Sequence, residues 1–102
     1  MIVVLVTIPV NKAKKLAKII LENKACACVN IIKDIESYFW WQGKIQQGKE
    51  ALLVIKTKKS AFAKLKKIIK ENHPYKVAEI IALDIVGINS EYRKWLIGEV
   101  NV

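Results

Sequence analysis

Histidine, arginine, cysteine, proline and glycine are all scarce in this sequence. The chain of 102 residues has one histidine, one arginine, two cysteines, two prolines and four glycines. Cys26 and Cys28 lie too close in the chain to form a structural disulfide framework, and a single histidine leaves too few ligands for a closed zinc site. With 53% hydrophobic residues, the chain is also too apolar to be disordered. We therefore predict one folded domain over residues 1–102.

Long hydrophobic runs are absent as well. No stretch approaches the ~18 uninterrupted apolar residues of a transmembrane helix, so we expect no membrane partner. The apolar start, MIVVLVTIPV, has no preceding basic residue and no small-residue cleavage site. It is typical of a buried strand, and together with unpaired cysteines it predicts a cytoplasmic protein.

Acidic residues are few relative to basic ones, which gives a formal net charge of +9. Such a charge raises the question of a nucleic-acid partner. Arginine dominates specific base and phosphate contacts because its planar group is bidentate, yet Arg93 stands alone among 17 lysines. We interpret the lysines as a solvated surface and expect no nucleic-acid partner.

The hydrophobic pattern predicts the order of elements. Residues 2–8 form a continuous β-branched run, as expected of a central strand. Residues 11–24 have the 3.6-residue period of an amphipathic helix, with Asn11 as its cap. Residues 25–41 predict one long or bent strand, which a tight turn at Gln42-Gly43 joins to a returning strand over 44–56 with a bulge at Gly48.

The second half of the chain repeats the sequence of helix and strand. We predict a helix over residues 60–72, a turn at His73-Pro74-Tyr75, and a strand over 79–86. Residues 87–90 then introduce a short C-terminal helix. The order βαββαβ predicts an α+β, ferredoxin-like sandwich with both helices on one sheet face. The other face has no helix to cover it, so we expect another copy of the chain to do so.

Half of the eight aromatic residues occur in one run, Tyr38 to Trp41. In RNA-recognition motifs the stacking rings lie on the two central strands, but here the predicted central strands carry none. The run instead lies at the tip of the predicted hairpin, where a two-stranded ribbon cannot bury both of its faces alone. We therefore expect these rings to pack against a neighbouring subunit.

The cysteines and His73 raise two chemical alternatives. A cysteine and a histidine far apart in sequence are weak evidence for nucleophilic catalysis, and buried cysteines are common. We expect no enzyme activity. A soft ion such as Cu(I) could use one thiolate together with His73, with further donors from another subunit.

Several motifs, in order along the chain, resemble one family. These are Ala27-Cys28-Val29-Asn30, the segment from Tyr38 to Lys44, Ile55-Lys56-Thr57, His73-Pro74-Tyr75, Glu79-Ile80-Ile81 and the segment from Tyr92 to Leu96. The whole chain is similar to the CutA family of divalent-cation tolerance proteins. The resemblance implies a PII-like homotrimer with its sheets packed inward, and a role in the response to copper and other divalent cations.

The resemblance also implies site residues. It implies a cleft between subunits that uses Tyr38, Trp40, Lys56, Tyr75 and Glu79, with Cys28 and His73 as the candidate metal ligands. Phe39, Trp41 and Trp95 are then expected at the trimer interface. A buried Lys56 beside Glu79 would form a charge pair.

Two positions differ from the family pattern that the resemblance implies. Members with a proposed copper site have a cysteine near the end of the first strand and a second histidine before His-Pro-Tyr, where this chain has Val6 and Asn72. We therefore expect weak copper binding and no certain cofactor. The alternative function is that of a PII-like signalling protein that binds a small metabolite or anion in the cleft, assisted by Lys56.

Overall fold

The structure is a computed structural model that describes all residues from 1 to 102. It contains four strands, three α-helices and one 3₁₀ turn. In chain order they are β1 (Ile2–Ile8), α1 (Val10–Glu22), β2 (Cys28–Trp41), β3 (Lys44–Thr57), the 3₁₀ turn (Lys59–Ala61), α2 (Phe62–Asn72), β4 (Ile81–Asp84) and α3 (Ser90–Glu99).

The four strands form one antiparallel sheet in the order β2-β3-β1-β4. The predicted α+β, ferredoxin-like arrangement with a short C-terminal helix is confirmed. The central strands are β1 and β3, and neither contains an aromatic residue.

One face of the sheet is covered by α1 and α2. Alternate residues of β1 and β3 point to this face, where they form the main core with apolar residues of both helices. The buried strand residues are Ile2, Val4, Val6, Ile8, Ala51, Leu53 and Ile55, and the helices contribute Ala13, Leu16, Ile20, Leu65 and Ile69. A smaller cluster around Leu96 and Val100 anchors α3.

The opposite face of the sheet, which we call the open face, has no covering element. The strand register places an apolar set of half-buried or exposed side chains there: Val3, Leu5, Ile32, Leu52, Val54, Ile81 and Leu83. Ile32, Ile81 and Leu83 are among the most exposed large hydrophobic residues of the chain. A contiguous apolar surface of this kind is typical of an interaction site.

The hairpin of β2 and β3 extends beyond the rest of the sheet. β1 pairs with residues 51–57 of β3, so residues 35–41 and 44–50 pair only with each other as a two-stranded ribbon. The predicted tight turn is confirmed, because Gln42 and Gly43 both have positive φ, at 51° and 78°. This combination is typical of the type I′ turn that joins twisted strands. The ribbon contributes to a length of 45 Å for the molecule.

Three local predictions are wrong. α1 begins at Val10 after Pro9, without a side-chain cap, so Asn11 is inside the helix; proline has the φ that a helix start needs and has no amide hydrogen to satisfy. Gly48 pairs regularly with Ser37, and the irregularity lies in β2 between Ile32 and Ile35.

The extra residues of that irregularity include Asp34, whose φ of 60° is left-handed. Aspartate tolerates this conformation better than most residues, which explains a bulge without glycine. The second and fourth strands are also shorter than predicted, since β2 starts at Cys28 and β4 covers only Ile81–Asp84.

None of the helices combines the length and the hydropathy that crossing a membrane requires.

Candidate functional site

The largest concave site lies beside the ribbon, and we call it the hairpin groove. Its volume is about 620 Å³. It brings together four residues predicted for the cleft, Tyr38, Trp40, Tyr75 and Glu79, with Phe39 and Trp41 from the predicted interface. Trp40 is 72% exposed and Tyr38 is 62% exposed. The groove is therefore open to solvent and rich in aromatic surface.

Tyr75 and Glu50 form the polar floor of the hairpin groove. The Tyr75 hydroxyl donates a hydrogen bond of 2.8 Å to Glu50 Oε2. Burial, and then the hydrogen bond to the Glu50 carboxylate, raise the pKa of Tyr75 to about 12. The hydroxyl therefore keeps its proton near neutral pH and remains a donor to Glu50.

His73 joins the end of β1 to the loop that carries Tyr75. Its Nε2 lies 2.8 Å from the Thr7 carbonyl oxygen, which can only accept, so Nε2 carries the proton. Its Nδ1 accepts a hydrogen bond of 3.1 Å from the Tyr75 backbone N–H. Both ring nitrogens are engaged, so a metal ion could bind His73 only if one of these bonds broke.

Cys28 and Lys56 lie side by side on the open face. They are cross-strand partners in β2 and β3, and both contact the side chain of Asn30: the Cys28 thiol lies 3.9 Å from Asn30 Oδ1, and Lys56 Nζ donates to the same oxygen. Lys56 Nζ also donates to the Val54 carbonyl oxygen, at 3.3 Å. Burial and the neighbouring Cys28 raise the pKa of Tyr92, which places a phenol from α3 at this cluster.

Cys26 belongs to the main core and is almost fully buried. Burial, and then the charge of Cys28, raise the pKa of Cys26 to about 12. Its thiol stays protonated near neutral pH and is a poor nucleophile or ligand. The interpretation of Cys26 as a packing residue agrees with this position.

The two candidate metal ligands lie at opposite ends of the sheet within one chain. Cys28 pairs with Lys56, which pairs with Val3, whereas His73 contacts Thr7. Val3 and Thr7 are four residues apart in β1, which corresponds to about 13 Å. One ion cannot bind both side chains of the same chain, and no three histidine, cysteine or acidic side chains come together as a metal-binding group.

The same separation rules out the predicted charge pair within one chain. Glu79 lines the hairpin groove near Thr7, while Lys56 lies at the Cys28 end. The two ion pairs of the structure are Lys24–Glu99 and Lys59–Asp84. The placement of Lys56 beside Glu79 is therefore wrong for a single chain, because the register of β3 separates them.

Trp95 is also remote from the groove. It lies on α3, 44% exposed, with its ring centroid 5.4 Å from that of Tyr92. Since Tyr92 is close to Cys28, Trp95 belongs to the Cys28 end of the molecule. The residues predicted for the interface thus occupy both ends of the chain.

Two groove residues were missed by sequence reasoning. Glu50 is only 6% exposed and Glu36 accepts a hydrogen bond of 3.3 Å from the Tyr38 hydroxyl. A signal for Glu50 existed, since it directly precedes the buried run ALLVI, at the point where β3 enters the sheet. A carboxylate at such a boundary has to be examined as a buried group.

Comparisons with known proteins assign the chain to a family. The family model described as "CutA1 divalent ion tolerance protein" matches residues 2–99. "Protein CutA 1, chloroplastic" of Oryza sativa subsp. japonica is 50% identical over 93% of this chain, which spans about half (54%) of that relative's length. "Divalent-cation tolerance protein CutA" of Thermus thermophilus is 45% identical over 92% of both proteins.

Solved structures match over nearly the full length. The divalent cation tolerance protein (Cut A1) of Thermus thermophilus has a TM-score of 0.95 and 43% identity over 99% of this chain and 100% of its own. The Nostoc sp. PCC 7120 protein, described as "PII-like protein CutA", has a TM-score of 0.93 and 26% identity over 99% and 98%. Together with the match over residues 2–99, these likenesses show that the chain belongs to the CutA1 divalent ion tolerance family.

Proposed function

We propose that the protein acts in the response to divalent metal ions as a homotrimer, in which the open face and the ribbon pack against neighbouring copies. The observation that carries this proposal is the apolar surface left uncovered by the fold. The open face has seven apolar residues without a covering element, and the ribbon exposes Tyr38, Trp40 and Ile45 by more than 60% each. Surfaces of this kind are buried in stable assemblies.

The number of copies is inferred from family resemblance and the need for a cover from the surface itself. Two-stranded ribbons are marginally stable in water, so a ribbon of 14 residues gains most when a second chain packs on its rings. We expect Phe39 and Trp41 to be buried at one end of the interface and Trp95 at the other.

A copper site, in this proposal, is shared between subunits. Cys28 and His73 do not fit one ion within a chain, because they lie at opposite ends of β1. A shared site would combine the thiol of one copy with the imidazole of another. The loss of a hydrogen bond at His73 opposes coordination, which supports weak rather than tight binding.

Calorimetric titration of the assembled protein with Cu(I) and Cu(II) tests this proposal. We expect weak, saturable binding that disappears in Cys28→Ser and in His73→Ala, because each variant removes one of the two ligands. Cys26→Ser is the matched control, since that thiol is buried and its pKa is raised to about 12. Copper binding that persists in both ligand variants would contradict the proposed ligands.

The alternative, a PII-like protein with a small ligand in its cleft, is supported by the volume of the hairpin groove. An anionic ligand held by Lys56 is not supported, because Lys56 lies at the other end of the sheet. We propose no catalytic activity, since neither cysteine lies beside His73. A cytoplasmic location remains our proposal from the two free cysteines.

A further inference from the structure

Glu50 carries a charge problem that the single chain does not solve. Its side chain is buried, and Oε2 accepts one hydrogen bond, from the Tyr75 hydroxyl. Oε1 accepts none, and no lysine or arginine forms an ion pair with this carboxylate, although the chain has 18 basic residues. Buried carboxylates are normally paired with a cation or fully hydrogen-bonded. Glu50 therefore has an unfilled requirement for positive charge.

The rest of the hairpin groove has the same preference. Every ionisable acid or base that lines it, apart from Tyr38 and Tyr75, is a carboxylate, namely Glu36, Glu50 and Glu79. This is unusual in a chain with twice as many basic as acidic residues. The aromatic residues beside them present ring faces, whose negative potential attracts cations.

We propose that the hairpin groove binds a small organic cation with N–H donors, an alkyl ammonium, with the Glu50 carboxylate as its principal acceptor. Carboxylate oxygens accept charge-assisted hydrogen bonds from ammonium groups, and aromatic walls cover the alkyl chain. A bare divalent ion fits less well, because no three ligating side chains converge here. The volume of about 620 Å³ is in the range of small-molecule sites.

This inference replaces the anionic ligand of the alternative function with a cationic one. It depends on residues of one chain and not on the copper ligands or the number of subunits. A failure of the inference can therefore be distinguished from a failure of the proposed assembly, which light scattering reports separately.

Calorimetry with 1,4-diaminobutane tests the inference on the full-length protein in its native assembly. We expect saturable binding with a Kd of about 1 mM or lower, accompanied by a change in tryptophan fluorescence from Trp40 and Trp41. The neutral isostere 1,4-butanediol should not bind, because it lacks the charge. Tetramethylammonium, which has charge but no N–H donor, should bind more weakly than the diamine.

Two variants locate the binding site. Glu50→Gln keeps the shape of the side chain and should weaken diamine binding at least about tenfold. Glu79→Gln changes an exposed loop residue and should weaken binding several-fold without an effect on folding, so it tests the inference even if Glu50→Gln misfolds. Glu71→Gln, the same substitution on the exposed part of α2, is the matched control and should leave the Kd unchanged.

Three results would overturn the inference. The first is equal binding of the diamine and the diol, and the second is an equal loss in Glu71→Gln and the groove variants, which would indicate a general charge effect. The third is the absence of binding to the native assembly, the outcome expected if a basic side chain of a neighbouring copy already fills the groove.

Discussion

Replacing Trp40 and Trp41 together by alanine is expected to dissociate the assembly into single chains at micromolar concentration. The two rings lie on opposite faces of the ribbon and are 72% and 45% exposed in the isolated chain. Their truncation therefore removes little packing within the chain and much from an interface. Aromatic anchors at interfaces each contribute roughly 2 kcal/mol or more, so the double variant should weaken association by several orders of magnitude.

Light scattering during size-exclusion chromatography measures this effect directly. Circular dichroism should show that the double variant keeps its secondary structure, because the main core contains neither tryptophan. Leu21→Ala is a suitable control, since Leu21 is also exposed but lies on α1, away from the open face. A double variant with the mass and dilution behaviour of the wild type would mean that the ribbon is not part of the interface.

Leu53→Ala and Leu52→Ala should destabilise the protein in different ways, although the residues are neighbours in β3. Leu53 is fully buried beneath the helices, and its truncation should cost about 3 kcal/mol per chain through lost burial and a cavity. Leu52 lies on the open face opposite Thr7 and Ile32. Its truncation should cost little within one chain and mainly weaken association.

Guanidinium unfolding at two protein concentrations separates the two effects. Leu53→Ala should lower the unfolding midpoint at both concentrations while the assembly keeps its mass. Leu52→Ala should make the midpoint more dependent on protein concentration, because assembly and folding are linked. If Leu52→Ala left association unaffected, the open face would not be an interface.

The fold was predictable because its strongest signals are local. The β-branched run of β1, the amphipathic period of α1 and α2, and the Gln42-Gly43 turn each determine one element within a short window. The errors lie where one residue type competes with another. Pro9 begins α1 instead of Asn11, and Asp34 takes the left-handed conformation of the bulge expected at Gly48.

The candidate site was predictable only in part, because it depends on strand register. The aromatic run could be placed on a hairpin, and four predicted cleft residues do line one groove. The partnership of Glu50 with Tyr75 joins residues 25 apart in the chain, which no local pattern reveals. The separation of Cys28 from His73 follows from their positions along β1, and that pairing is equally long-range.

The central claim is that the uncovered apolar surface of each chain is buried by two further copies. Sedimentation equilibrium of the wild-type protein over a wide concentration range tests it most directly. The account predicts a single species with three times the chain mass of 11.6 kDa, stable on dilution. A species of 11.6 kDa that stays soluble and monomeric throughout that range would contradict it.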